Sequence, residues 1–131
     1  MPMSFSATKR DVVDFVRQKQ IERPVYLDTE TTGLERGDEI VEIAIIDDDG
    51  NSLFDSLVRP SQPIPSAATR IHHITDEMVK TARPWPILWP VIRPLLVGRL
   101  VVIYNAEFDL RLMQQSHARY LLPWRENLNV L

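Results

Sequence analysis

The run Val25-Tyr26-Leu27-Asp28-Thr29-Glu30-Thr31-Thr32-Gly33-Leu34 ends a hydrophobic strand with two carboxylates set two residues apart. Residues i and i+2 of a strand face the same side. Asp28 and Glu30 therefore point together, at the end of an element whose Val25, Tyr26 and Leu27 call for burial. Like charges held that close repel and raise each other's pKa unless something positive lies between them, and a divalent cation is the simplest candidate. An isolated Asp-x-Glu pair is equally what an acidic strand end facing solvent looks like, so its meaning rests on what the rest of the chain supplies.

Working outward, Pro24 opens a strand predicted to run through Asp28, and Glu39 to Asp47 reads as a second. Asp48-Asp49-Gly50-Asn51 makes a hairpin turn into a third strand, Ser52 to Val58, so three sequential antiparallel strands are expected. Upstream, Thr8 to Gln18 reads as an amphipathic helix, with Thr8 as N-cap, Asp11 three residues on, and an apolar stripe of Val12, Val13, Phe15 and Val16. Downstream, Pro60, Pro63 and Pro65 mark a loop, and Thr75 caps a short helix, Asp76 to Thr81. Leu88, Val91, Ile92, Leu95 and Leu96 keep helical spacing, but Pro86, Pro90 and Pro94 predict a kinked or frayed helix over 84–97. Leu100 to Tyr104 reads as a buried strand, and Asn105 begins a helix running to about Tyr120. The crossover between the Asp28 and Leu100 strands is long enough to set them parallel, which predicts a mixed α/β sheet.

With 131 residues, 44% hydrophobic and 25% charged, the chain suits one core. Residues 1–131 are read as a single domain, in which 1–22 form an N-terminal extension carrying the helix and 23–131 the domain proper. The absence of cysteine excludes a disulfide framework, a thiolate metal site and a cysteine nucleophile, and fits a cytoplasmic protein. Residues 1–20 hold no apolar signal segment, and Trp85 to Val97, the most hydrophobic stretch, is too short to span a bilayer. A soluble protein with no membrane partner is expected. The net charge of −3 argues against a basic protein that coats nucleic acid. It leaves open an enzyme that grips a few nucleotides through bound cations.

A second run, Tyr104-Asn105-Ala106-Glu107-Phe108-Asp109, ends a strand and enters a helix, placing Asp109 in the first turn. If the two strands are neighbours, Asp109 meets Asp28 and Glu30, and three hard oxygen donors suit Mg2+ or Mn2+. Two such ions roughly 3.5–4 Å apart can hold a phosphodiester, activate a water and stabilise the leaving 3′ oxygen. A plainer reading makes Asn105 an N-cap and Asp109 a partner of the helix dipole.

Asp-x-Glu-Thr-Thr-Gly-Leu at 28–34 together with Asn-Ala-x-Phe-Asp at 105–109 resembles the DEDD superfamily of 3′–5′ exonucleases, above all the branch of the proofreading epsilon subunit of bacterial DNA polymerase III. Ile71-His72-His73-Ile74-Thr75-Asp76-Glu77-Met78 is similar to that branch's His-Gly-Ile-Thr-x-Glu-Met segment, with His73 in the glycine's place. The resemblance covers residues 24–118 and implies an RNase H-like fold flanked by helices. It makes Asp28, Glu30 and Asp109 the metal-binding and catalytic carboxylates for two Mg2+ or Mn2+ ions. It also implies that Thr31 and Thr32 hold the terminal nucleotide, that Leu34 and Phe108 pack against its base and that His72 contacts it. Asn105 shapes the strand-to-helix turn, and Glu107 occupies a variable position.

The family also carries a third motif on a C-terminal helix, a His that acts as general base and, five residues later, a fourth carboxylate. This sequence stops before it, so the chain is expected to be the N-terminal two-thirds of an exonuclease domain with its C-terminal part missing. His72 lies five residues before Glu77, but upstream of Asp109. His117 is about 12 Å along its helix from Asp109 at 1.5 Å per residue. Neither is expected to serve, so the general base is not in this chain.

The expected function is exonucleolytic hydrolysis of single-stranded nucleic acid at a 3′ end, DNA in a proofreading or repair setting, with a DNA polymerase subunit as partner. The alternatives are a non-catalytic nucleic-acid-binding or polymerase-associated scaffold module, and an exoribonuclease. A homodimer through the Leu128–Leu131 edge is a further expectation. Arg70, Arg99 and Arg111 are candidates for a phosphate-binding rim, and Trp85, Trp89 and Trp124 read as packing residues.

Overall fold

Five strands form one mixed sheet in a computed structural model that describes residues 8–14 and 23–131. They are β1 (Val25–Thr31), β2 (Ile40–Ile46), β3 (Ser52–Leu57), β4 (Leu100–Ile103) and β5 (Asn129–Val130), in the order β3-β2-β1-β4-β5. β1, β2 and β3 pair antiparallel, and β4 and β5 are added parallel to β1. The Asp47–Asn51 turn has Gly50 at φ 84°, and Gly50 N–H donates to Asp47 O at 3.1 Å. The antiparallel meander and the parallel crossover are as expected.

β1 runs three residues further than predicted. Its pairing with β2 continues through Glu30↔Glu42 to Thr31↔Ile40, with a register shift between Glu30 and Thr31. Backbone pairing extends it across polar residues that carry no hydrophobic signal.

The helices are α1 (residues 9–14), α2 (Ser66–His72), α3 (Asp76–Val79), α4 (Trp85–Leu96) and α5 (Ala106–Arg119). Thr8 caps α1 as expected, taking the Asp11 N–H on its hydroxyl at 3.1 Å and giving its own N–H to the Asp11 carboxylate at 2.8 Å. The predicted continuation to Gln18 lies outside the described residues.

α2 was read as loop because prolines precede it. Its N-cap is Pro65 and no side chain caps it, so the usual sequence mark of a helix start is missing. α3 begins where Thr75 accepts the Met78 N–H, as expected. α4 is not broken by its prolines: helix is continuous from Trp85 to Leu96. Pro86 falls in the first turn, where its missing donor costs nothing. Pro90 and Pro94 lie on the exposed side, while Trp85, Leu88, Trp89, Ile92 and Leu96 are buried. Packing of that inner face outweighs the donors lost on the outer one.

The core lies between one sheet face and α4 and α5. Val25, Leu27, Ile43, Ile45, Val101 and Ile103 from the strands meet Leu88, Ile92, Leu96, Leu112 and Met113. A smaller cluster of Val41, Ile64, Ala68, Ile74 and Val79 holds α2 and α3 to the domain. Parallel register fixes the site: Val25 pairs with Val101 and Leu27 with Ile103. α5 therefore starts beside the C-terminal end of β1.

Candidate active site

Asp28 is exposed and Glu30 half-buried on the sheet face away from α4 and α5, as their spacing requires. Asp109 reaches the same sheet end from the first turn of α5, where its backbone N–H bonds Asn105 O at 3.0 Å. The residue is 6% exposed, and its carboxylate takes a hydrogen bond from the Thr29 hydroxyl at 3.2 Å. Burial pushes the Asp109 carboxyl up to about 6. The Thr29 bond opposes that rise, and the charges of Asp28 and Glu30 add to it. Asp28 and Glu30 thus act electrostatically on Asp109.

Among the described residues, no three His, Asp or Glu side chains stand close enough together to hold a metal ion. The donor set suits a hard cation in its chemistry but not in its spacing. It consists of oxygens alone, with one carboxyl whose charged form burial disfavours. Asp28, Glu30 and Asp109 are the residues that would hold it.

Glu42 escaped the sequence reading although it is the one charged residue within β2. It pairs across the sheet with Glu30. Burial raises its pKa, with Asp55, Glu30 and Asp28 adding to the rise and His72 opposing it. The acidic face of the sheet therefore extends from β1 onto β2.

Beside the carboxylates lies a cavity of about 410 Å³, whose lining includes Glu30, the Thr31–Leu34 turn, Ile71, His72 and Phe108. Leu34 and Ile71 are 72% and 79% exposed, so the mouth is apolar and open. His72 spends both ring nitrogens on backbone: Nδ1 accepts the Ile74 N–H at 3.0 Å, which leaves Nε2–H to donate to Thr31 O at 3.0 Å. His73 is the C-cap of α2 at φ 64° and exposed.

The turn itself is closed by Asp38. Its carboxylate takes the Thr32 hydroxyl and the Glu35 N–H, each at 2.8 Å. Thr32 Oγ1 accepts the Glu39 N–H at 3.0 Å. A Cβ on Gly33 would stand 2.5 Å from Asp38 Oδ2, so the turn needs glycine there.

Of the arginines predicted to form a rim, Arg99 does not reach the site. Arg99 precedes β4, at the opposite end of the sheet from Asp28 and Glu30. Arg111 donates to Leu34 O at 3.3 Å. The tryptophans pack as expected, with His117 among them: Trp85 Nε1–H donates to His117 Nδ1 at 2.9 Å. Trp89 and Trp124 each meet the His117 ring edge-on, with centroids 4.7 Å apart.

Among the described residues, no helix is long and apolar enough to cross a membrane. The structure resembles Exonuclease X, solved in complex with 5′ overhanging duplex DNA, with a TM-score of 0.57 and 37% identity over 68% of this chain and 52% of that one. Escherichia coli Exonuclease I, solved with a dT13 oligonucleotide, shares the fold at a TM-score of 0.67 and 17% identity, over 82% of this chain and 27% of that one. These neighbours have the RNase H-like fold that the motifs imply.

In sequence the chain is 46% identical over 96 residues to the uncharacterized exonuclease CP81 of Escherichia phage 186, covering 73% of this chain and 50% of that protein. It is 40% identical over 99 residues to a DNA polymerase III subunit epsilon-like protein of Rhodobacter capsulatus, covering 70% of this chain and 14% of that one. The chain therefore spans half or less of these curated relatives. The RNase_T model, described as exonuclease, matches residues 25–127 and takes in every motif above. The chain belongs to the RNase_T exonuclease family.

Proposed function

We propose that the protein removes nucleotides from the 3′ end of single-stranded DNA, with Asp28, Glu30 and Asp109 holding two Mg2+ or Mn2+ ions. The observation that carries this reading is a buried Asp109 brought to the strand end that displays Asp28 and Glu30, beside an apolar-mouthed cavity. When bound, the ions supply an activated water and neutralise charge on the leaving 3′ oxygen. The remaining tasks fall to the chain. The Thr29 hydroxyl orients Asp109. Thr31 and Thr32 fix the turn around the terminal nucleotide, Leu34 and Phe108 offer apolar surface to its base, and His72 ties the turn to α2.

DNA is favoured over RNA because the related crystal structure is a DNA complex. In addition, Escherichia coli exodeoxyribonuclease 10 is 39% identical over 98 residues, covering 72% of this chain and 42% of that protein. Matched DNA and RNA oligonucleotides in parallel assays separate the two. The deciding experiment is release of nucleoside 5′-monophosphates from a 3′-labelled strand in Mg2+. An Asp28→Ala protein as active as wild type would end this reading.

One observation favours a second reading. None of the three histidines is free at the carboxylates: His72 is bonded through both nitrogens, His73 caps α2 and His117 is buried among tryptophans. On that reading the chain binds single-stranded DNA, or a polymerase partner, without cutting. Calorimetric titration with Mn2+ divides the two. Two-site binding supports a metal centre, while no metal binding with retained DNA or polymerase binding supports the module.

A further inference from the structure

α5 does more than deliver Asp109. Three residues on one side of it, spaced i, i+3 and i+7, are Phe108, Arg111 and Gln115. The Arg111 guanidinium lies over the Phe108 ring, 5.6 Å from its centroid, and also donates to Leu34 O at 3.3 Å. One turn further, Gln115 Nε2 donates to Glu35 O at 3.2 Å and to Asp38 O at 3.1 Å. An amide nitrogen carries two hydrogens, and both are used on carbonyls of the same turn.

Among the described residues, the hydrogen bonds that reach these carbonyls from outside the turn come from α5. The internal bonds run between Thr32, Glu35, Asp38 and Glu39. They give the turn its shape but do not fix where it sits relative to Phe108. Leu34 is 72% exposed, so packing does not fix it either. The two apolar walls of the cavity belong to different elements, and Arg111 meets both.

We infer that Arg111 and Gln115 are positioning residues that clamp the 33–38 turn to α5 and set the gap between Leu34 and Phe108, and with it the grip on a terminal base. This rests on the proposed function in taking that cavity as the nucleotide site. It makes Arg111 a brace for the walls and not a phosphate contact, and gives Gln115 a role in binding with no charge of its own.

The clamp is tested on the whole chain, without and with nucleic acid. In the free protein, Gln115→Ala should speed hydrogen exchange of the Glu35 and Asp38 amides about 10-fold, from loss of two hydrogen bonds. Gln115→Glu, nearly isosteric and unable to donate, should do the same and stands in if the alanine variant does not fold. Binding of a single-stranded dT oligonucleotide in Ca2+ buffer should weaken about 10-fold in Gln115→Ala and Arg111→Met. The dependence of log affinity on log salt should stay as in wild type.

Unchanged exchange overturns the inference, as does faster exchange with unchanged affinity. A salt slope reduced by about 0.7 in Arg111→Met, the contribution of one phosphate contact on a single strand, overturns it by making Arg111 a phosphate ligand. If wild type itself binds no oligonucleotide, the nucleotide-site reading falls first and takes the inference with it.

Discussion

The two ends of α5 treat a buried titratable residue in opposite ways. Near its start, Asp109 is 6% exposed and has one hydroxyl partner and two carboxylates acting on it. Two turns on, His117 is 2% exposed and sits among three tryptophan rings, with the Trp85 indole N–H on Nδ1. Trp85 can only donate, which assigns Nδ1 as acceptor and the ring as neutral, so the Met113 carbonyl 3.1 Å away is a neighbour and not a second bond. The histidine has what it needs in its uncharged form, while the aspartate lacks compensation in its charged form. Burial alone therefore does not mark a site. The aspartate is the one whose charged form burial disfavours.

The largest expected effect breaks the comparison at the aspartate end. Asp109→Asn should lower 3′ nucleotide release on the order of 10³-fold, since metal-borne charge stabilisation amounts to several kcal/mol. The same change should leave the thermal midpoint in chelator equal to or above wild type, because it removes an uncompensated buried charge. A large loss of stability would mean that Asp109 is structural.

At the other end the outcome should reverse. Trp85→Phe should cost about 2 kcal/mol in urea unfolding by leaving the His117 acceptor unpaired, and should change single-strand binding little.

The pH dependence separates the ends further. Asp109 titrates in the folded protein at about 6, above an ordinary aspartate, so the folded state holds that proton more tightly. Its share of stability is complete below the ordinary carboxylate range and is lost as pH rises through about 6. Burial lowers the His117 pKa, so the unfolded chain is protonated first. Its share is present above the ordinary imidazole value and is lost as pH falls through the folded one. In chelator the two shares therefore oppose each other over the same acidic window, and Asp109→Asn should steepen the rise of the urea midpoint with pH up to about 6.

The smallest effect controls for α5 altogether. His73 holds φ 64° at the end of α2, so His73→Gly should add about 1 kcal/mol of stability through relief of the left-handed conformation, with no change in metal binding.

What could be read from the sequence followed from how local each signal is. The β2–β3 hairpin shows in alternating hydrophobic residues and the Gly50 turn, and the carboxylate pair follows from strand period two. Asp109 is legible through the Asn105 turn that starts its helix. α2 was missed because it lacks a capping side chain. α4 was read as broken because proline propensity is local, whereas Trp85, Leu88 and Ile92 are held by distant strands. Arg99 was assigned to the wrong end of the sheet, since composition says nothing about direction. Gln115 looked like any helix-surface residue. Its role appears only once the 33–38 turn is folded back onto α5.

The parallel pairing of β4 with β1 also sets an order of assembly. β1, β2 and β3 are joined by short connections and close early, whereas Val25 finds Val101 only across most of the chain, and such long-range closures come late in folding. A nascent or partly folded molecule thus displays Asp28 and Glu30 well before Asp109 arrives. The three carboxylates therefore come to one sheet end only once β4 has joined β1.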